Sequence, residues 1–276
     1  MGRIQLDQAN WHVTARGARR LLLFHDDADY KVFYAMLGES CLHSEMSLIA
    51  DCLMSNHFHL SLDGSTRQLT SCMQRLNRAY SGYHNHRYGL TGHAFEQRYY
   101  GEPIPSDFIL KRVVRYIHLN PVRGGKTSSP ENYPWSSYRR MAFASQASLS
   151  PREQEFLKLF PGDLSQAQES YRLFTEVDLA RRVTFSGGHT PAWEIWQEQF
   201  RWMLEHLQEQ SDFLSPLEPE VLAVYFGTRV GIPPRAMGKA MGHPDGRIAS
   251  EMKRRVLRRL ENDPSLQQKL DSLQIL

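Results

Sequence analysis

The chain has 276 residues, of which 41% are apolar, and a formal net charge of +3. This composition is typical of a globular protein with a core and excludes a disordered chain. No apolar run approaches the roughly 18 residues that a membrane-spanning helix needs, and the N-terminus lacks the layout of a signal peptide. Three separated cysteines without a C-x-x-C pair exclude a disulfide framework and a thiolate zinc site. We therefore expect a cytoplasmic protein, and its length favours two domains.

The first predicted elements are a strand and a helix. Residues 11–17 alternate apolar with polar and stop at glycine, which predicts a strand with His12, Thr14 and Arg16 on one face. Asp26 or Asp27 can cap a following helix whose apolar residues lie on one side. Such a helix is expected to cover a sheet.

The next stretch predicts a β-hairpin that carries two histidines. Residues 46–54 form an apolar strand, Ser55-Asn56 suits a tight turn, and a second strand returns from His57. Side chains alternate along a strand, so His57 and His59 share a face and can hold one metal ion. Two histidines on the polar face of a half-exposed strand are the structural alternative. A metal site therefore requires further ligands and a nucleophile.

The order of elements in the first hundred residues predicts the fold class. Residues 65–68 have the form of a capping box and open a long helix that ends near Gly89, and residues 92–100 alternate as a fourth strand. The order β-α-β-β-α-β predicts an α+β, ferredoxin-like (RRM-like) fold, with a four-stranded antiparallel sheet and two helices on one face. The other face is left free for chemistry.

A helix that follows this sheet carries a tyrosine and an amide on one side. Ser106 is its expected N-cap, and Pro121 limits how far the helix can run. Tyr116 and Asn120 are four residues apart and share a helix face, with Arg112 one turn earlier.

Five sequence blocks, taken in order, resemble the signature blocks of the REP-associated tyrosine transposases, a family of HUH single-strand endonucleases. Ser55 departs from the family pattern, which usually has proline there, but it lies in the turn and leaves the catalytic roles unaffected. The resemblance covers about the first 140 residues. The blocks are Trp-His-Val-Thr-Ala-Arg-Gly at 11–17, Leu-Met-Ser-Asn-His-Phe-His-Leu at 53–60, Phe-Glu-Gln-Arg-Tyr at 95–99, Tyr-Ile-His-Leu-Asn-Pro-Val-Arg at 116–123 and Tyr-Pro-Trp-Ser-Ser-Tyr at 133–138.

The resemblance implies a catalytic role for four of these residues. His57 and His59 would be metal ligands, Asn120 a third ligand through its amide oxygen, and Tyr116 the nucleophile that attacks a DNA phosphorus. The expected metal is Mg²⁺ or Mn²⁺, since both accept oxygen ligands and phosphate and imidazole suits Mn²⁺. No nucleotide cofactor is expected, because the sequence has neither a Walker loop nor a G-x-G-x-x-G motif.

The implied function is cleavage and rejoining of single-stranded DNA next to imperfect, REP-type palindromic hairpins, through a covalent 5′-phosphotyrosine intermediate. The expected partner is hairpin DNA with an adjacent tetranucleotide, bound by a monomer or a homodimer at the bacterial nucleoid and not at a membrane. One alternative is a domesticated, non-catalytic regulator that binds hairpins. Another is a metal-dependent hydrolase, which would need acidic ligands that are not conspicuous near the histidine strand.

Twelve side chains are expected to contact DNA, each against the alternative of an ordinary surface role. Those after the first strand would help to recognise the tetranucleotide, and Arg112 and Arg115 would also assist Tyr116 electrostatically. Arg98, Tyr99 and Arg123 would meet phosphates or stack on unpaired bases. The set is Arg16, Arg19, Arg20, Arg98, Tyr99, Arg112, Arg115, Arg123, Arg247, Lys253, Arg254 and Arg258.

The second half predicts a further domain. We assign residues 1–145 to the catalytic domain, 146–189 to a connecting helical region, and 190–276 to an α-helical domain with a DNA-binding helix-turn-helix. The last helix, which starts at Arg247, has six basic residues and one acidic residue in its first thirteen positions. Such a helix suits duplex phosphates, although a solvated helix or one docked on the catalytic domain is an alternative.

Overall fold

A computed structural model gives the structure of residues 5–180, 223–224, 227, 237–238, 241–243 and 247–262. The chain divides into two compact units, Met1–His189 and Thr190–Leu276. The first unit contains four strands and six α-helices among its described residues. They are β1 (Ala9–Arg16), α1 (Asp27–His43), β2 (Ser47–Met54), β3 (His57–Gly64), α2 (Thr66–Tyr88), β4 (Tyr100–Ile104), α3 (Asp107–Arg123), α4 (Tyr138–Phe143), α5 (Pro151–Leu157) and α6 (Leu164–Ala180).

The predicted α+β fold with a four-stranded antiparallel sheet is confirmed. The strand order is β2-β3-β1-β4, and every neighbouring pair is antiparallel. Alternate residues of the sheet, among them Val13, Phe58 and Leu60, are buried in one core cluster with Phe33 of α1 and Leu76 of α2. The two helices thus cover one face, and the histidines lie on the other.

Local capping explains where the two covering helices begin and end. The carboxylate of Asp26 accepts hydrogen bonds from two backbone amides of the first turn of α1. Ser65 and Gln68 form the predicted capping box at the start of α2. Gly89 ends α2 in the left-handed conformation, with a φ of 62°, which glycine adopts without steric cost.

The prediction of a strand at residues 92–100 was wrong, because the fourth strand begins at Tyr100. Residues before it curve past the end of β1, where the Glu96 amide donates to the Arg16 carbonyl at 2.9 Å. Strand β4 itself contains Gly101 and Pro103, which weaken its sequence pattern. An edge strand tolerates proline, so pairing with β1 determines the strand there.

The face expected to be free is covered in part by α3 and α5, which pack against β2. Residues assigned to the connecting region form α5 and α6 within the first unit. Arg152 of α5 makes an ion pair of 3.0 Å with Asp63 of β3, and Arg140 pairs at 2.7 Å with the buried Glu153. This segment is therefore part of the first unit's packing.

Among the described residues of the second unit, residues Arg247–Asn262 form a helix, α7. Residues 190–222 of the predicted α-helical domain lie outside the described residues, as does most of the predicted helix-turn-helix, which stays a prediction. Within the part of the chain that the structure describes, no helix has the length and apolar content needed to cross a membrane.

Candidate active site

Strand register places the two predicted metal ligands beside a polar strip of β1. Residues directly opposite in an antiparallel pair share a sheet face. His59 lies opposite Thr14, and His57 lies opposite Arg16. The two histidine rings meet edge to face with centroids 5.2 Å apart. The face pointing away from α1 and α2 therefore carries both imidazoles side by side, as predicted.

Each of these histidines is oriented through its Nδ1 atom. The Nδ1 of His59 is 3.1 Å from the Nε2 of His12, and the two rings stack with centroids 5.3 Å apart. The Nδ1 of His57 is 2.8 Å from the Oδ1 of Asn56, a carbonyl oxygen that can only accept. His57 Nδ1 is then the protonated nitrogen. In both rings Nε2 is the nitrogen that a metal would take, and the contact at Nδ1 fixes the ring.

Helix α3 places the Tyr116 ring against the rings of His59 and His12. The tyrosine ring meets His59 edge to face with centroids 5.4 Å apart, and meets His12 at 5.9 Å. The residue is only 5% exposed. The predicted nucleophile and one predicted metal ligand, His59, therefore lie in contact within one chain, which the sequence alone could not establish.

Two arginines lie close to Tyr116. The guanidinium carbon of Arg123 is 5.3 Å from the centre of the tyrosine ring. Burial and the neighbouring Arg20 lower the pKa of Arg16, and the charges of Glu96 and Tyr116 oppose that shift. A cation beside a phenol favours its ionised form, the form that attacks phosphorus.

Asn120 lies one turn beyond Tyr116 on the same helix. Its Nδ2 donates to the Tyr116 carbonyl at 3.2 Å, which directs the amide nitrogen to the helix backbone. The amide oxygen is then the atom available to a metal. Among the described residues, no group of three His, Cys, Asp or Glu could hold an ion. A set of two imidazoles and one amide, as predicted for His57, His59 and Asn120, would suit an ion that also takes phosphate oxygens.

The expectation that Arg115 assists Tyr116 was wrong. Its guanidinium lies 4.3 Å from the centre of the Phe174 ring and donates to the Phe174 carbonyl at 3.2 Å. Neighbouring residues of a helix point about 100° apart, so position 115 faces α6 when position 116 faces the sheet. Arg112 is 6% exposed and lies over the Phe108 ring at 4.8 Å. The role predicted for Arg112 stays a prediction, and Arg123, seven residues after Tyr116, lies over the Tyr116 ring.

The other predicted DNA contacts differ in accessibility. Arg19 and Arg20 are exposed and adopt left-handed backbone conformations, with φ of 52° and 64°. Arg98 is also exposed, whereas Tyr99 is 6% exposed and belongs to the core cluster, which leaves little of its ring for a base to stack on. On α7, the exposed members are Arg247, Arg254 and Arg258, and Lys253 is partly buried.

Sequence analysis missed His12 and Glu102 as parts of this site. His12 was assigned to the correct strand face, but its contact with His59 depends on the register between β1 and β3. Glu102 lies opposite His12 on β4, and burial raises its pKa to about 7, with the Tyr100 hydroxyl donating to it at 3.0 Å. The wrong bounds of the fourth strand hid this carboxyl group.

Comparisons with known proteins found a matching family model and similar solved structures. Residues 5–120 match the family model for transposases described as IS200 like. No curated protein matches the chain. A solved REP-associated tyrosine transposase bound to a REP hairpin is 18% identical, over 59% of this chain and 92% of its own, with a TM-score of 0.46. A transposase candidate from Deinococcus radiodurans is 15% identical, over 42% of this chain and 94% of its own, with a TM-score of 0.31. The matched segment contains His57, His59, Tyr116 and Asn120.

Proposed function

We propose that the protein cleaves and rejoins single-stranded DNA through Tyr116, from the premise that residues 5–120 match the family model for IS200-like transposases. The substrate would be DNA beside an imperfect, REP-type palindromic hairpin. The observation that carries the proposal is the contact of Tyr116 with His59 and His12 within one chain. A non-catalytic hairpin-binding regulator would have no need of this arrangement.

The reaction follows from the chemistry of the phenol. The Tyr116 oxygen loses its proton and attacks a DNA phosphorus, a phosphorus–oxygen ester bond to the upstream sugar breaks, and the departing 3′-oxygen takes up a proton. The downstream strand stays attached as a 5′-phosphotyrosine. Because one phosphodiester replaces another, the 3′-hydroxyl can reverse the step and rejoin the strands without an energy source.

The side chains around Tyr116 have separate tasks in this proposal. At neutral pH only about one phenol in a thousand is ionised, so Arg123 and Arg16 would favour the phenolate by their charge. When bound at His57, His59 and Asn120, a Mg²⁺ or Mn²⁺ ion would supply a Lewis acid for the phosphate oxygens. His12 and Asn56 hold the two imidazoles in the required orientation.

Exposed arginines would bind the rest of the DNA. Arg19 and Arg20 lie beside the hairpin turn that precedes His57, since the Asn56 amide donates to the Arg20 carbonyl at 3.4 Å. The non-glycine left-handed conformations there cost about 1–2 kcal/mol each, and such strain tends to occur at functional sites. On α7, Arg254 and Arg258 are one turn apart and exposed, and would contact duplex phosphates. The double change Arg254→Gln and Arg258→Gln should then lower the salt dependence of hairpin affinity by about two phosphate contacts.

A covalent-adduct assay tests the proposed reaction. The substrate is a pool of hairpin oligonucleotides whose four nucleotides beside the stem are randomised, labelled at the 3′ end because the downstream fragment becomes attached. Wild type with Mg²⁺ or Mn²⁺ should give a labelled band that survives denaturation, and Tyr116→Phe should give none. Tyr80→Phe, which removes a buried hydroxyl bonded to the Leu23 carbonyl on the other face of the sheet, is the matched control.

The outcomes separate the candidate functions. An adduct formed by Tyr116→Phe would show that another residue is the nucleophile. Hairpin binding by wild type without an adduct, with either metal and across the pool, would favour the non-catalytic regulator instead.

A further inference from the structure

Helix α3 has a second contact side, opposite the one that carries Tyr116. Lys111, Arg115 and His118 lie four and three residues apart and therefore form one stripe along the helix. Lys111 lies 5.5 Å from the centre of the Phe160 ring, and Arg115 contacts both the ring and the carbonyl of Phe174. All of these partners come from residues after 120, beyond the segment that matches the transposase family.

His118 is the most constrained member of this stripe. It is fully buried, its Nε2 is 2.8 Å from the Ser137 hydroxyl, and its Nδ1 is hydrogen-bonded to the Tyr171 hydroxyl of α6. Ser137 also contacts the Asp51 carbonyl at 3.3 Å. One assignment satisfies all of these contacts: Tyr171 donates to Nδ1, Nε2–H donates to Ser137, and Ser137 donates to the carbonyl. The ring then bridges α6 and the Ser137 segment.

Ser137 is in turn fixed to the sheet. Its hydroxyl accepts from the Asp51 amide at 2.9 Å, and its own amide donates to the Asp51 carbonyl at 3.1 Å. Asp51 belongs to β2, whose next residue, Cys52, lies directly opposite His59 in β3. A continuous chain of hydrogen bonds therefore joins the strand beside the metal-ligand histidine to the helix that carries the nucleophile.

We propose that His118 is a positioning residue: through Ser137 and Tyr171 it fixes α3 on the sheet and holds Tyr116 against His59 of its own chain. This inference rests on the proposed function, in which Tyr116 is the nucleophile. In this inference, residues 134–175 hold α3, the helix that carries Tyr116, in place on the sheet. A displacement of about 1 Å in a reacting group can cost about a hundredfold in rate, so small losses of fixation become measurable.

The test compares changes that remove this bridge with a matched control. Tyr171→Phe deletes one hydroxyl, His118→Leu deletes both hydrogen bonds, and His118→Gln keeps an N–H near the position of Nε2. Tyr80→Phe also deletes a buried tyrosine hydroxyl bond, but on the opposite face of the sheet. Each full-length variant is assayed with the hairpin pool at a temperature where its melting curve shows it folded.

We expect a selective loss of the chemical step. At saturating DNA, the rate constant for adduct formation should fall about tenfold in Tyr171→Phe and about a hundredfold in His118→Leu, with His118→Gln between His118→Leu and wild type. The Kd for DNA should stay within about twofold, because the hydrogen bonds of the bridge are made by His118, Tyr171, Ser137 and Asp51 and not by the arginines proposed to bind DNA. Tyr80→Phe should keep the wild-type rate constant.

A measurement without DNA keeps the inference separate from the proposed reaction. Selective isotope labelling gives the nuclear Overhauser contact between the rings of Tyr116 and His59, whose centroids are 5.4 Å apart. We expect this contact in wild type and Tyr80→Phe, and a weakened or absent contact in Tyr171→Phe. If wild type forms no adduct but the ring contact responds in this way, the positioning role stands and the proposed reaction fails.

Two results would overturn the positioning role. One is a wild-type rate constant and an unchanged ring contact in Tyr171→Phe and His118→Leu. The other is an equal loss in Tyr80→Phe, which would show that any lost buried hydroxyl bond has the same effect. If His118→Leu does not fold, Tyr171→Phe decides between these outcomes.

Discussion

Tyr116 and His59 of the same chain meet edge to face, with their ring centroids 5.4 Å apart. Tyr116 lies on α3, and His59 lies on β3 in the middle of the sheet. No second copy of the chain is needed to bring the proposed nucleophile to a proposed metal ligand. The four predictions below follow from this contact and from the groups around it.

Mixing two inactive variants should not restore activity. Tyr116→Phe lacks the proposed nucleophile, and His59→Ala lacks a proposed metal ligand, so a site assembled within one chain leaves both copies defective. We expect adduct formation by an equimolar mixture to stay at the level of the separate variants. A mixture that recovers about a quarter or more of the wild-type amplitude would show instead that α3 of one copy completes the site of another.

His12→Phe should weaken metal binding. Phenylalanine keeps a ring beside His59 but removes the nitrogen that lies 3.1 Å from His59 Nδ1. Loss of such an outer contact typically costs 10–100-fold in affinity, so we expect about tenfold weaker Mn²⁺ binding, measured by electron paramagnetic resonance of the free ion. The control is Ser61→Ala, directly opposite His12 on the same sheet face, with unchanged affinity. Equal Mn²⁺ affinity in His12→Phe and wild type would contradict this role.

Arg123→Met should slow adduct formation by making the phenol harder to ionise. The guanidinium carbon lies 5.3 Å from the centre of the Tyr116 ring, and its removal takes away a charge that favours phenolate. We expect the rate at pH 7 to fall about tenfold and the rising limb of the pH–rate profile to move to higher pH. Arg139→Met, a change at an exposed arginine of α4, should leave the profile unchanged. A lower rate with an unshifted profile would mean that Arg123 acts on DNA binding instead.

Asp51 should make the protein less stable as the pH rises from about 4 to 7. The carboxyl group is fully buried, and burial raises its pKa to about 6, despite the hydrogen bond that the Tyr34 hydroxyl donates to it at 2.6 Å and the nearby charge of Arg140. A folded-state pKa above the unfolded value stabilises the fold below the unfolded pKa. That contribution is lost as the pH rises through the folded value.

The raised pKa of Asp51 sets the size of the expected change in unfolding free energy. A shift of about two pKa units corresponds to roughly 3 kcal/mol of unfolding free energy. Urea unfolding should show a decrease of about 2 kcal/mol between pH 4.5 and pH 7 in wild type, because part of the full effect is already lost at pH 4.5. The decrease should be smaller in Asp51→Asn, which cannot ionise. Glu102, whose pKa is also raised, contributes to the slope of both proteins and so cancels in the comparison. Equal slopes in the two proteins would exclude Asp51 as the cause.

Short-range patterns determined a large part of this structure. The alternation of residues 11–17, the turn at Ser55-Asn56 and the capping box at Ser65 each specify conformation through contacts within a few residues, and all three have the predicted form. The same patterns placed His57 and His59 on one face and Tyr116 with Asn120 on one helix side. Residue spacing alone settles such relations within one element.

Relations between elements were decided by the tertiary structure. The fourth strand lies at Tyr100–Ile104 and not at the predicted residues 92–100, because backbone pairing with β1 outweighs local alternation. This pairing places Glu102 opposite His12. Arg115 turned to Phe174, and His118 became a buried bridge, because residues 130–175 cover the outer side of α3. Which side of a helix faces which partner depends on contacts between residues distant in sequence, 19 positions apart for His118 and Ser137 and 53 for His118 and Tyr171, and no local pattern encodes them.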